Sequence, residues 1–278
     1  MKDSLPEVHA NDALPIAYVH IQKTAGTSFK FVLRNSFGLR HSDVNPLDPS
    51  TGKPFDRHDL RFVRSSNPRV VSISGHEIIE PTRYLAGLVS PYTMLRDPVT
   101  RAVSHFQDKV VTGRLSADFG RYVDDPANHN FQVRKIAGGE DLEKAVILLG
   151  EAYFFVGLTE RFDESVRLFR QLCPYPVDIR CRRLNTATRD DISQMLKADP
   201  LAMSRLREAN ELDRQLWEHV DKKLFPAMRE RAGGALPERL PEYPRARFPW
   251  RFHSSRLKHR IVYRTRLNRA RALRRSHA

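Results

Sequence analysis

Three short stretches of the 278-residue chain carry side chains suited to holding an anion and moving a proton. The first is His20-Ile21-Gln22-Lys23-Thr24-Ala25-Gly26-Thr27-Ser28, which follows an apolar run and opens an amphipathic one. Such a turn offers backbone N–H groups at a helix start, where the positive end of the helix favours an anion. Gly26 allows close backbone approach, Thr27 and Ser28 add hydroxyl donors, and Lys23 adds a point charge. The Gly-x-x-x-x-Gly-Lys-Ser/Thr order of the nucleoside triphosphate loop is absent. The second stretch is residues 92–106, "YTMLRDPVTRAVSHF", which puts Arg96 at a strand end. Asp97 reads as an N-cap and Pro98 as the first helical residue, and Arg101 and Ser104, three apart, can share a helix face. The third is Ile73-Ser74-Gly75-His76, which ends another apolar run in a histidine. An ordinary imidazole titrates near ~6.5, so His76 is a candidate general base, with Glu77 and Glu80 as alternatives.

The elements that must position these groups alternate in type. Short apolar runs at 16–21, 69–74, 92–95 and 152–157 read as buried strands. Helical spacing is found from Thr27 to a C-cap at Gly38, from Pro81 to about Val89, and after Pro98. Helices are also predicted at 126–137 and 140–149, split by Gly138-Gly139, and at 161–172 and 211–225. Residues 39–60 are rich in Asp, Pro, Ser and Gly and read as loop. Strands alternating with helices imply an α/β fold with a central parallel sheet flanked by helices. Ligands of such sheets sit beyond the carboxyl ends of the strands, where all three stretches fall.

Composition narrows the class. Hydrophobic residues make up 40% and charged residues 29%, which suits a soluble globular chain. The apolar run at 145–150 is too short to span a bilayer, and the polar, acid-bearing N-terminus does not read as a secretory signal. Two cysteines, Cys173 and Cys181, imply no disulfide framework and fit a reducing compartment, so the expected location is cytoplasmic, with peripheral membrane contact open. The net charge is +14, yet after Glu242 there are twelve Lys or Arg and no acid, which leaves the rest of the chain near +2. Basic charge confined to a tail does not argue for specific nucleic acid binding. It suits an anionic membrane surface or an acidic polysaccharide, and a solvated extension accounts for it equally well. The apolar spacing of residues 250–278 is only roughly helical.

Taken together, "HIQKTAGTS" and "LRDPVTRAVSHF" resemble the two donor-binding loops of sulfotransferases that use 3′-phosphoadenosine 5′-phosphosulfate (PAPS). The branch with the heparan sulfate 2-O- and 6-O-sulfotransferases and their bacterial relatives is the most similar. "ISGH", "NFQVRKIAGG", "FVGLTERFDESV" and "LREANELDRQLWEHV" extend the resemblance over about residues 16–225. Gln22 departs from the pattern, since relatives usually carry proline there. The resemblance implies a P-loop-like three-layer fold: an arm at 1–15, a sulfotransferase domain at 16–236, and a Pro-rich linker with the basic tail at 237–278. It implies that Lys23, Thr24, Ala25, Gly26, Thr27 and Ser28 hold the 5′-phosphate, and that Arg96 and Ser104 hold the 3′-phosphate. Lys23 and His76 would be catalytic, with no metal required, 3′-phosphoadenosine 5′-phosphate (PAP) as product, and a hydroxyl-bearing acceptor, expected to be a glycan. Gln132 and Arg134 are expected near the acceptor cleft, and Arg182, Arg183 and Asn185 near the adenosine. His20 is expected to pack behind the turn and His105 to be structural. The rival readings are a phosphate-loop nucleotide kinase and a non-catalytic anion-binding protein. The kinase predicts a Gly-Lys-Ser/Thr turn and a strand-end Asp for magnesium.

Overall fold

The computed structural model describes residues 14–181, 191–233, 240–244 and 248–275. Five parallel strands form one sheet in the order β2-β3-β1-β4-β5. They are β1 (Ile16–Val19), β2 (His41–Asp43), β3 (Ser72–Gly75), β4 (Ser90–Leu95) and β5 (Phe155–Leu158). β1, β3 and β5 are buried along their whole length, as strands covered on both faces must be. The α/β fold with a parallel sheet between helices is therefore the one the sequence predicts.

The chain leaves β1 through α1 (Gly26–Phe37), builds β2 and β3 on one side, and then crosses to β4 on the other. Strand order thus reverses at β1, which makes its carboxyl end the crevice of the sheet. Phe29, Val32 and Leu33 fix α1 on the sheet; each is fully buried. Burying a side chain of that size contributes ~1.5–3 kcal/mol. Phe29 meets Tyr18, Tyr92 and Phe169 at ring-centroid distances of 5.1, 6.0 and 5.1 Å. Tyr18 lies on β1, Tyr92 on β4, and Phe169 on α8 (Phe162–Leu172).

A second, smaller core lies under α4 (Pro98–Val111). Ala102, Val103 and Phe106 of α4 pack there with Tyr122 of α5 (Phe119–Asp124), Leu196 of α9 (Asp191–Lys197) and Leu206 of α10 (Pro200–Ala209). α6 (Phe131–Ala137) and α7 (Leu142–Glu151) join the main core, as does α11 (Glu211–His219). A π-helical turn at Val220–Leu224 carries α11 into α12 (Phe225–Arg231).

Residues 39–60 are not the loop that their composition suggests. His41–Asp43 is an edge strand, and Arg57–Ser66 is a helix, α2. The Asp56 carboxylate accepts from the N–H groups of His58 and Asp59, and Asp59 accepts from the Asp56 N–H, a reciprocal capping box. The predicted helix at 126–137 is broken at Asn130, whose φ of 41° is left-handed, so only Phe131–Ala137 is α-helical. The helix predicted from Pro81 stops at Tyr84 and is α3. The strands predicted at 69–74 and 152–157 run instead at Ser72–Gly75 and Phe155–Leu158.

The arginine-rich segment forms α13 (Trp250–Lys258), a π-helical turn (His259–Tyr263) and α14 (Arg264–Arg275). Tyr263 and Leu267 enter the main core, and Phe252 packs on Phe31 of α1 with ring centroids 5.0 Å apart. The Tyr263 hydroxyl donates to the Asn45 carbonyl at 3.1 Å, and Arg271 donates to the carbonyls of Leu47 and Pro46 at 2.9 and 2.6 Å. These contacts bind residues 250–271 to α1 and to the segment just after β2.

Candidate active site

Three neighbouring strands deliver the candidate groups. β3, β1 and β4 lie side by side, with Val19 in register with both Gly75 and Thr93. Parallel neighbours are ~4.8 Å apart. The residues just past their carboxyl ends, His76, the turn from His20 to Gly26, and Arg96, are therefore brought together by the sheet itself.

The turn is built to expose N–H groups. Lys23 and Ala25 have φ of 69° and 58°, two left-handed residues in three. Alternation of this kind turns successive N–H groups to one side and forms an anion-binding concavity. The Thr24 side chain is buried, and its hydroxyl donates to the Ile21 carbonyl at 2.9 Å. Thr24 thus pins the turn and leaves its backbone N–H as its contribution to an anion. The start of α1 has no side-chain cap and no acid in its first turn. Gly26 is required by packing: a Cβ would sit 1.7 Å from Nε2 of His20, the ring behind the turn.

Arg96 is held to the turn, its Nη1 donating to the Lys23 carbonyl at 3.0 Å. Burial lowers the pKa of its guanidinium, which an arginine tolerates without losing its charge. Its backbone is clamped by Gln132, which accepts from the Arg96 N–H at 3.0 Å and donates to the Arg96 carbonyl at 2.8 Å. Asp213 of α11 in turn accepts from the N–H groups of Gln132 and Val133 at 2.9 and 2.8 Å, at the start of α6. A fully buried carboxylate is costly unless hydrogen-bonded, and here two N–H groups and a helix start supply partners.

Ser104 lies one helical turn before Asp108 on α4, and the Lys23 ammonium meets Asp108 at 3.0 Å. The α4 face bearing Ser104 and Asp108 therefore lies over the turn. Arg101, on the same helix, is fully buried with its guanidinium 4.8 Å from the centroid of the Phe131 ring. His105 is structural, its Nδ1 3.0 Å from the Tyr122 hydroxyl, and burial pushes its pKa down to about 3.

His76 sits between the turn and an open cavity. Its Nδ1 lies 2.9 Å from the His20 carbonyl, and its ring stacks on the His20 ring at 4.0 Å. A carbonyl can only accept, so Nδ1 carries the proton and the neutral ring presents the lone pair on Nε2. Burial, followed by the charge of Lys30, lowers the pKa of His76. Both effects favour the neutral ring. Gly75 before it is fixed by close packing, since a Cβ there would come within 2.8 Å of the Val44 carbonyl. The loop after it is held by Lys135, which donates to the His76 carbonyl at 2.5 Å and lies 4.0 Å from Glu77.

The cavity, about 710 Å³, runs between the exits of β2 and β3 and helix α13. His76 and Asp43 line one side, and Trp250, Arg256 and Arg260 line the other. Asp43 is committed: it pairs with Arg34 and with Lys30 at 3.3 Å, and accepts from the Ser74 hydroxyl at 2.8 Å.

Two of the expected acceptor residues stand elsewhere. Gln132 is fully buried and orients Arg96, and Arg134 donates to the Pro126 carbonyl at 2.6 Å. Glu80 is buried beside Lys144 at 2.6 Å, an ion pair that removes it from open competition as a base. Arg182, Arg183 and Asn185 lie outside the described residues. Sequence reasoning missed Asp108 and Asp213. Asp108 could have been found from its spacing of four after Ser104. Asp213 gave no local signal, because its partners are some eighty residues away. Among the described residues no group of three or more His, Cys, Asp or Glu is placed to share a metal ion, and no helix is long and apolar enough to cross a membrane.

The tight turn before α1, Arg96 and His76 thus meet at the reversal point of the open parallel sheet of an α/β fold. Residues 7–144, which contain all of these groups, match the model of the sulfotransferase family, and the match supports sulfuryl transfer as the general activity of the chain. A search among curated proteins finds no match.

Proposed function

We propose that the chain transfers the sulfuryl group of PAPS to a hydroxyl group of a carbohydrate acceptor. The observation that carries this reading is the position of His76. Its Nδ1 is tied to the His20 carbonyl at 2.9 Å, three residues before Lys23, and its ring lines the 710 Å³ cavity. A base in that position stands between a donor on the turn and an acceptor in the cavity.

The donor set suits an adenosine bisphosphate. The left-handed Lys23 and Ala25 and the uncapped start of α1 favour the 5′-phosphate. Arg96 and Ser104 favour the 3′-phosphate, and the planar guanidinium matches phosphate oxygens. PAPS supplies an activated sulfur with a phosphate as leaving group. His76 takes the acceptor proton on Nε2 as the new O–S bond forms, and the S–O bond to the phosphate breaks. Lys23 exchanges the Asp108 carboxylate for the leaving oxygen and offsets its charge. The transferred group carries less charge than a phosphoryl group, so fixed protein cations suffice and no metal is required.

The test is transfer of label from radiolabelled PAPS to a panel of glycans, lipids, small metabolites and tyrosine peptides in EDTA, with products read by mass spectrometry. A sulfated glycan with equimolar PAP is the expected result. Label on tyrosine alone would remove the carbohydrate acceptor, and a need for added metal would remove the metal-free mechanism.

A further inference from the structure

Apolar side chains turned to solvent gather on one helix. The described residues include ten large hydrophobic side chains that are exposed, and four of them, Phe248, Trp250, Leu257 and Ile261, stand on α13 or next to it. Leu39, a fifth, is tied to the same helix, its carbonyl accepting from the Lys258 ammonium at 2.9 Å. Exposed apolar residues scattered singly are ordinary, whereas a cluster marks an interaction surface. Trp250, Leu257 and Ile261 are 74%, 58% and 56% exposed. They are seven and four residues apart, which sets them in one stripe along the helix. Phe252, Ser255 and Tyr263 are buried on the opposite face, where Phe252 packs on Phe31 of α1. The inner face of α13 is thus docked, and its outer face is apolar and open.

Positive charge fills the flanks of the stripe. Residues 250–275 hold ten Lys or Arg and no Asp or Glu. Arg256, Arg260 and Arg264 are exposed and, four apart, run along one side of the stripe. Helical spacing sets Arg251, Lys258 and Arg266 along the other side. An apolar stripe with a tryptophan, bordered by arginines, is the pattern of a helix lying in the headgroup region of an anionic bilayer. The apolar side chains enter the acyl boundary, while the guanidinium groups reach up to the lipid phosphates. Charge alone would suit an acidic polysaccharide equally well. Such a chain has no use for exposed Leu257 and Ile261, so the stripe decides for lipid.

We propose that the outer face of α13 is a docking surface for an anionic lipid bilayer, with Phe248, Trp250, Leu257 and Ile261 entering the boundary between headgroups and acyl chains. The helix is already fixed to the protein through Phe252 on Phe31 and Tyr263 on Asn45, so the bilayer orients the whole molecule and not a loose tail. Phe248, Trp250 and Leu257 also line the cavity of His76. Docking by this face therefore sets the mouth of that cavity against the headgroups. The docking surface goes beyond the sulfotransferase reading and does not depend on it.

The test is co-sedimentation of the full chain, without nucleotide, with vesicles of equimolar phosphatidylserine and phosphatidylcholine and with vesicles of phosphatidylcholine alone. Wild type should bind the anionic vesicles at least about tenfold more tightly than the neutral ones, since each Lys or Arg near the surface adds attraction. Trp250 emission should shift to the blue and be quenched by bromine carried on the acyl chains, which marks insertion and not surface charge. W250F should lose that quenching. L257S/I261S should lose about tenfold in vesicle binding with Tm unchanged, because both side chains are exposed, and should keep wild-type retention on heparin. R260A/R264A should lose about tenfold in vesicle binding as well. M195S/L201S, the same change at two exposed apolar residues on α9 and α10, should cost nothing. Failure of wild type to bind the anionic vesicles would overturn the proposal, as would L257S/I261S binding as tightly as wild type, or an equal loss in M195S/L201S. If L257S/I261S lost only its retention on heparin, the stripe would belong to a polysaccharide site and the proposal would be wrong. If it lost only a wild-type dimer seen in sedimentation velocity, the stripe would join two copies of the chain, and the proposal would again be wrong. PAP binding is measured separately, so its failure would refute the sulfotransferase reading and leave the vesicle result standing.

Discussion

Replacing Gly26 with alanine tests whether the phosphate turn and the base form one packed unit. The added Cβ would meet His20 Nε2 at 1.7 Å, where ordinary contact begins at 3.4 Å, so the ring or the turn must shift by about 1.7 Å. The ring has little freedom. It is 7% exposed and stacked between Tyr18 at 5.1 Å and His76 at 4.0 Å. Gly26 has an ordinary negative φ, so backbone strain contributes nothing and the whole cost is steric. Overpacking of this kind costs ~1–3 kcal/mol. For a chain of this size that is a Tm lower by about 2–10 °C. Displacing the turn by about an ångström should weaken PAP binding tenfold or more, and turnover should fall further because His76 moves with His20. Calorimetry with PAP and thermal melts of G26A, H20A and the double variant complete a cycle. If the ring is the obstacle, removing it relieves the strain, and G26A should cost ~1–2 kcal/mol less in the H20A background. An identical cost in both backgrounds would refute the reasoning.

Four further predictions concern the neighbours of that unit. Arg96→Ala should weaken PAP binding about tenfold or more and narrow its advantage over AMP, since the lost contact is charge-assisted; equal losses for the two nucleotides in calorimetry would remove Arg96 from the 3′-phosphate. His76→Ala should lower turnover ~10²–10⁴-fold with PAP affinity nearly intact, and near-normal turnover would pass the role to Glu77. The base form of His76 exists above its folded pKa, which burial and Lys30 lower, so in wild type kcat/KM should hold steady as pH falls to ~6.5 and decline only below it; an acid limb at or above that value would contradict the assignment. Asp213→Ala leaves the buried N–H groups of Gln132 and Val133 unpaired and should cost ~2–4 kcal/mol in urea melts, with PAP binding weakened through Arg96; a neutral change in both would break the proposed chain of support.

The parts of the candidate site within one strand-to-helix connection were legible in the sequence. Lys23 to Ser28, Arg96 and His76 each follow an apolar run, and a parallel sheet gathers such positions at one edge. The supporting contacts were less legible, because they join distant segments: Lys23 to Asp108, Arg96 to Gln132, Gln132 to Asp213. β2 escaped notice because His-Ser-Asp has no apolar pattern; its residues are covered by β3 pairing and by the Asp43 ion pairs. α2 carried a readable cap at Asp56 that the surrounding loop-like composition outweighed. In the C-terminal segment, arginines dominate the composition, while Phe252, Tyr263 and Leu267, the residues that dock it, are few and widely spaced.

The most direct test of the central claim is calorimetry of the full chain in EDTA with PAP, and in magnesium with ATP. The phosphate turn, the Arg96 clamp and the absence of any required metal in the proposed chemistry predict that PAP binds in EDTA, more tightly than AMP and more tightly than ATP with magnesium. Tight binding of magnesium ATP with no measurable binding of PAP would contradict the account.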